Sequence, residues 1–269
     1  LGFLTRRAKW GLPLFRFNQE ILKVVEEEQP DLVWVDKGIW VFPDTLEKIK
    51  QICAPFLIHY TPDPAITFHK SRHFLSCIPI YDLLVTTKSY EVESYHSLGA
   101  QQLILQHPNY DPRIHRPEVP NATEKKRYSC DAVFIGVYSR GRKKYLLPLH
   151  NMGIDLAIWG HYWQTRCWDP RLRQYVRGAA LSGRDYALGV GGAKIGLGLL
   201  SPLVPDKTTT RSIEIPAIGT FLLAERTNEH MELFEEGKEA EFFASKKELV
   251  KKMDYYLSHP EEREMIAQA

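Results

Sequence analysis

The sequence predicts an α/β protein of two parallel-sheet domains facing one another across a cleft. Three observations carry that expectation. Short apolar, β-branched runs alternate with amphipathic helical stretches, the pattern of repeated βαβ units. The alternation stops once, in a stretch rich in proline and charge, and then restarts. A chain of 269 residues, 44% of them hydrophobic, exceeds the usual size of one domain and can fill two cores.

The first series opens on a loop and the helical segment FRFNQEILKVVEEEQ. Strands are then expected at 31–36 (DLVWVD), 55–60 (PFLIHY), 81–87 (YDLLVTT) and 101–106 (QQLILQ), runs of the kind buried in parallel sheets. Helices fit between them at 43–53 (PDTLEKIKQIC) and 89–99 (SYEVESYHSLG). Residues 107–128 lack periodicity and read as a linker, so the domains are expected at 1–118 and 128–269. The second series places strands at 131–136, 155–160, 193–200, 220–225 and 240–243. The last segment spaces Leu249, Met253, Tyr256 and Leu257 as a surface helix with one buried face.

A net charge of +2 from 35 basic and 33 acidic residues argues against a nucleic-acid or membrane surface, so any anion site must be local. No basic stripe is interleaved with aromatics, which also disfavours nucleic acid. Cys53, Cys77, Cys130 and Cys167 stand far apart without a CxxC pair, which signals neither a disulfide framework nor a zinc site and suits a cytoplasmic protein. No apolar run approaches the roughly 20 residues of a membrane span.

Ligands of parallel α/β sheets bind beyond the carboxyl ends of the strands, so chemistry is sought there. FIGVYSRGRKKYLLPL puts Gly136 at such an end and Arg140, Arg142, Lys143 and Lys144 at the start of the next helix, a combination suited to phosphate. The same run also suits a solvated basic turn. AIWGHYW ends its strand at Trp159 and Gly160, where a flat ligand could approach the backbone and His161 or Tyr162 could meet it, or where the rings simply pack. TTTRSIEIPAIGTFLLAE starts a helix near Thr208 and carries Arg211 and Glu214 on one face; Pro216 and Gly219 are expected to end it. Arg211 and Glu214 could form a surface salt bridge. Alternatively, Thr209, Thr210 and Arg211 take a diphosphate while Glu214 accepts from a ribose diol.

The block from TTTRSIEIPAIG to HPEERE resembles the C-terminal signature of glycosyltransferases of the GT-B fold, in particular the CgeB-like (spore-maturation) group. DAVFIGVYSRGRKKYLLPL with GIDLAIWGHYW is similar to that group's first nucleotide-binding strand and loop, and PDLVWVDKG, TPDP and YDLLVTTKSYEVESYHSLGA resemble its acceptor-side domain. The resemblance implies two Rossmann-like domains, the first without its initial β-α unit, in a bacterial enzyme that transfers a sugar from a nucleoside-diphosphate sugar to an acceptor hydroxyl. It implies that Glu214 binds the ribose, that Arg211 and the threonines before it lie at the diphosphate, and that Arg140 or Lys143 steadies phosphate. Lys207 stands where many retaining members carry a second glutamate, which leaves the stereochemistry open. Neither a cofactor nor a metal is expected, because no D-x-D pair stands at a strand end. If the reaction inverts, the base is sought in the first domain at Asp63 or Asp36, with His59 third and also readable as a core histidine. A nucleotide-sugar epimerase and a non-catalytic nucleotide-sugar or glycan-binding module are the alternatives.

Overall fold

The computed structural model describes residues 11–67 and 71–269. By contact the chain divides into two units, Leu1–His107 and Pro108–Ala269. Residues 108–127, read from the sequence mainly as a linker, therefore pack with the second unit.

The first unit holds a parallel sheet in the order β1-β2-β3-β4, formed by Leu32–Asp36, Phe56–Thr61, Leu83–Thr86 and Leu103–Leu105. Three strands lie within their expected runs and β2 extends one residue past its run, to Thr61, because short β-branched stretches between amphipathic helices have few other ways to bury themselves. Helices α1 (Leu12–Glu28), α2 (Pro43–Cys53) and α3 (Arg72–Cys77) supply Leu22, Val25, Leu46, Ile49 and Phe74 to a core with Leu57 and Leu84. The expected helix at 89–99 is a 3-10 turn, Ser89–Glu91, followed by α4, Val92–Ser97. The other face of the sheet leaves Leu32, Trp34, Phe56 and Ile104 exposed.

The second unit has six parallel strands: β5 (Cys130–Ile135), β6 (Leu156–Trp159), β7 (Val176–Gly178), β8 (Ala193–Gly198), β9 (Phe221–Glu225) and β10 (Glu241–Phe243). Their order is β10-β9-β8-β5-β6-β7. The strand order reverses between β5 and β8, where a doubly wound sheet opens a crevice at its carboxyl edge. β7 was not foreseen, since three residues at a sheet edge leave no periodic signal. Apolar clusters cover both faces, one around Phe134, Leu146 and Trp163 and the other around Val133, Leu188 and Phe242.

Two local features shape the carboxyl edge. Helix α6 (Arg140–His150) starts on Ser139, whose side chain accepts from the Arg142 amide at 3.1 Å. Helix α10 is Arg211–Ala217, so it begins later than Thr208 and contains Pro216. Proline is tolerated there because the bond it forfeits belongs to the last turn of a short helix. The stop comes at Gly219, at φ 81°, where Thr220 N donates to Ile215 O and Gly219 N to Pro216 O, a Schellman cap.

The C-terminal signature is mostly an ion-pair lock. Arg226 bridges Glu236 and Glu248, and Lys252 binds Glu236, Glu241 and the Phe242 carbonyl. Tyr256 donates to Glu241 at 3.0 Å. The hydrogen bonds from Arg226 hold the Glu248 carboxyl down to about 2 and lower that of Glu236 as well. The lock fastens α12 (Lys246–Ser258) to β10, and α13 (Pro260–Gln268) follows it.

Candidate functional site

Two arginines meet at the switch point of the second sheet. Arg142 Nε donates to the Leu200 carbonyl at 3.1 Å and its Nη1 to Val137 O at 3.0 Å. Arg211 Nη2 donates to Leu199 O at 3.0 Å, one residue away. Each guanidinium carbon stands 5.6 Å from the ring centre of Phe134. The Glu225 carboxylate braces this corner by accepting from Leu200 N at 2.7 Å.

Among the described residues neither guanidinium has a carboxylate within ion-pair distance; Asp206 and Glu225 act on Arg142 only through the longer-range field. Burial, with the neighbouring Arg211 charge, pushes Arg142 down to about 10, and burial lowers Arg211 too. Among the described residues the buried Arg211 Nε has no hydrogen-bond partner. Glu214 and Asp206 act on Arg211 in the same long-range way, and two desolvated like charges whose counter-charges stand only at a distance are costly, a cost that a bound anion relieves.

Beside the pair lies a cavity of about 310 Å³ lined by His115, Ile135, Leu181, Tyr186, Thr210, Arg211 and Glu214, among others. Tyr186, on α9 (Gly183–Gly191), donates to Glu214 Oε2 at 2.5 Å. Burial first, and then the Glu214 charge, raises the Tyr186 hydroxyl and keeps it a donor. His115 Nδ1 accepts from the Asp111 amide at 2.9 Å, which leaves the Nε2 proton facing Glu214 Oε1 at 3.7 Å. The His115 and Tyr186 rings meet edge to face at 5.5 Å. Glu214 is thus an oriented acceptor whose side chain is 14% exposed.

The expected residues separate into groups. Thr210, Arg211 and Glu214 line the cavity, and Gly136 lies beneath Arg211, since a Cβ there would stand 3.4 Å from Arg211 Nη1. Thr209 is half-buried next to them, its amide donating to Ser212 Oγ at 3.1 Å. Gly160, at φ 145°, passes so near Gly136 that a Cβ would fall 2.0 Å from the Gly136 carbonyl oxygen. Four others stand elsewhere. Trp159 is 4% exposed and packs against Tyr128, because its side chain points to the core face of β6. Lys143 pairs with Asp169 at 3.1 Å, and Arg140 is exposed at the start of α6. His161 is exposed and engages through its carbonyl, which accepts from Tyr138 N.

In the first unit, Asp36 is exposed at the end of β1, on the rim of an apolar cavity of about 720 Å³. That cavity is larger, but the charges it gathers are Asp36 and Lys37, and Lys37 is engaged in an ion pair with Asp63. Asp63 is half-exposed on a loop fastened by Glu91, a fully buried carboxylate that accepts from the Ala65, Ile66 and Thr67 amides. His59 is fully buried between Phe74 and Tyr81, and burial pushes its imidazole down to about 4. It is a core histidine of β2.

Sequence reasoning overlooked His115 and Tyr186. His115 stands in a stretch without periodicity, and Tyr186 on a helix that no motif marks; an aromatic with a polar tip was the available signal. Arg142 was visible only as one cation among four. Among the described residues no three His, Cys, Asp or Glu side chains are grouped to hold a metal ion, and no helix is long and apolar enough to cross a membrane.

Residues 142–269 match the family described as glycosyl transferase-like. No curated protein matches the chain by sequence. Solved structures share the fold at low identity. HepE from Anabaena in complex with UDP-glucose is 12% identical, with a TM-score of 0.67 over 96% of this chain and 77% of that one. Sucrose-phosphate synthase from Thermosynechococcus elongatus is 12% identical, with a TM-score of 0.68 over 95% and 71%. A putative UDP-N-acetylglucosamine 2-epimerase from Listeria monocytogenes is 13% identical, with a TM-score of 0.56 over 95% and 73%.

Proposed function

We propose that the chain is a glycosyltransferase of the GT-B fold that takes its sugar from a nucleoside-diphosphate donor, with UDP sugars the first to test because HepE is seen with UDP-glucose. The observation that carries this reading is the pair Arg142 and Arg211, desolvated, without a carboxylate at ion-pair distance among the described residues, and adjacent to the cavity that holds Glu214. A diphosphate supplies the missing charge. Breaking the bond between the anomeric carbon and the diphosphate oxygen leaves negative charge on the leaving group, and fixed guanidinium donors stabilise it as it develops. The pair performs the neutralisation that a divalent cation provides elsewhere, so transfer is expected to persist in EDTA.

Glu214 accepts from the ribose diol, oriented by Tyr186. Glu214→Gln is expected to weaken UDP binding by about 1–3 kcal/mol in a folded protein. Titration calorimetry showing wild-type affinity would remove Glu214 from the donor site.

For the acceptor hydroxyl, Asp63 is the proposed proton acceptor, its loop pinned by Glu91 and its carboxylate steered by Lys37. Asp63→Asn is expected to lower the transfer rate by ~100-fold or more, the usual scale of general-base catalysis, with donor affinity unchanged. A full transfer rate in that variant would assign the step elsewhere.

The deciding experiment is a thermal-shift series with UDP, GDP, ADP, CDP and dTDP, because a ligand at 100 times its dissociation constant adds about 2.7 kcal/mol to the folded state. A selective shift followed by acceptor-dependent donor turnover supports the transferase. The likeness to the Listeria protein makes an epimerase the second reading, and donor isomerisation without acceptor would favour it. Binding without turnover would leave a nucleotide-sugar-binding module.

A further inference from the structure

The segment that leads into α10 is fastened from behind. Thr227 Oγ1 donates to the Lys207 carbonyl at 2.6 Å, and Thr208 Oγ1 to Glu229 Oε2 at 3.2 Å. Deeper, Ser212 Oγ lies 2.7 Å from His230 Nε2, and His230 Nδ1 lies 2.7 Å from the Glu225 carbonyl oxygen. A carbonyl only accepts, so Nδ1 carries the proton and Nε2 is an acceptor. The Ser212 hydroxyl therefore donates to Nε2, and its oxygen receives the Thr209 amide at 3.1 Å. One backbone carbonyl thus sets the direction of the whole chain from Thr209 through Ser212 and His230 to Glu225.

Ser212 and His230 are both fully buried, so water does not compete for these bonds. The groups that face the imidazole are the Ser212 hydroxyl from α10, the Glu225 carbonyl from β9 and the Phe242 ring from β10, stacked at 5.3 Å. The charge that acts on it is Glu229, on its own helix α11 (Asn228–Leu233), and burial outweighs it, keeping the imidazole neutral as an acceptor must be. The chain ends at the Thr209 amide, beside Thr210, Arg211 and Glu214, the residues that line the cavity.

We propose that His230 is a positioning residue for the donor site: as a neutral, Nδ1-protonated imidazole it holds Ser212, and through Ser212 it holds the Thr209 amide, so that Arg211 and Glu214 are presented in one register. The inference rests on reading this site as the donor site. An imidazole acting only as core filler would be replaced by an apolar side chain of similar size without effect on the segment. An imidazole acting as a clasp would not.

The test uses the full chain with Ser212→Ala, His230→Leu, His230→Gln and the Ser212→Ala/His230→Leu double variant. The first readout is amide hydrogen exchange over 207–212, which needs no ligand. Exchange there is expected to quicken by about tenfold in Ser212→Ala and His230→Leu, with exchange in β5 and β8 unchanged. The second readout is UDP affinity, expected to fall by roughly tenfold in either single variant and no further in the double, because both residues act through one chain. His230→Gln retains a donor and an acceptor and is expected to recover part of the loss.

Unchanged exchange over 207–212, quickened exchange with wild-type UDP affinity, or losses that multiply in the double variant would each overturn the proposal. If His230→Leu does not fold, Ser212→Ala, which removes one oxygen atom, decides by the same readouts. A wild-type chain that binds none of the five nucleoside diphosphates defeats the donor-site reading and this inference about its positioning, while exchange in the variants still shows whether His230 holds the segment.

Discussion

Arg211→Met is expected to weaken nucleoside-diphosphate binding by about 10- to 100-fold without lowering the unfolding temperature. The two effects part because the side chain is poorly compensated in the free protein. Among the described residues Arg211 keeps one hydrogen bond, to Leu199 O, has no partner for its buried Nε, and stands beside Arg142, whose own charge burial already disfavours. Methionine removes a half-buried cation that stands over the Phe134 ring and replaces it with an apolar side chain, a change that is often neutral or stabilising. A bound diphosphate, in contrast, loses a charge-assisted hydrogen bond of about 1.5–3 kcal/mol, and each 1.4 kcal/mol is tenfold in affinity. Calorimetry with UDP and a melting curve on the same sample test both halves. A variant that melts early and binds normally would make Arg211 structural.

Gly160→Ala is expected to destabilise the second unit by at least ~2 kcal/mol, a fall of several degrees in melting temperature for a chain of this length. Gly160 adopts φ 145°, a conformation that L side chains rarely take, and the added Cβ would fall 2.0 Å from the Gly136 carbonyl oxygen. That oxygen cannot yield freely, because it accepts from Trp163 Nε1 at 2.7 Å, and Trp163 is fully buried. Relief therefore has to move the residues just past β5, where Gly136 lies beneath the Arg211 side chain. Both stability and UDP affinity should fall together in this variant. Wild-type melting would show that the β5 and β6 ends have room that the glycine contacts deny.

The sequence alone determined the alternation of strands and helices. Among the described residues nine of the ten strands, all but β7, lie in or at the margins of runs read from apolar and β-branched content, because burial in a parallel sheet is written residue by residue in local composition. It also marked Gly136, Arg211 and Glu214, since strand ends in such sheets are identifiable before any contact is known. What it left undecided was partner choice. Arg142 and Lys143 are neighbours with the same charge, yet one turns to the Leu200 carbonyl beside Arg211 and the other to Asp169, a difference that helix geometry and strand order set. Trp159 and His59 carry functional side chains in a list of residue types, but the pleat of β6 and β2 turns both into the core.

Long-range contacts decided the remainder. His115 reaches Glu214 across about a hundred residues of sequence, from a stretch without pattern, and His230 reaches Ser212 from a separate helix. Local propensity records how a segment prefers to fold. It does not record which distant groups will face one another once the strands are ordered, and in this protein the candidate site is made of such pairs.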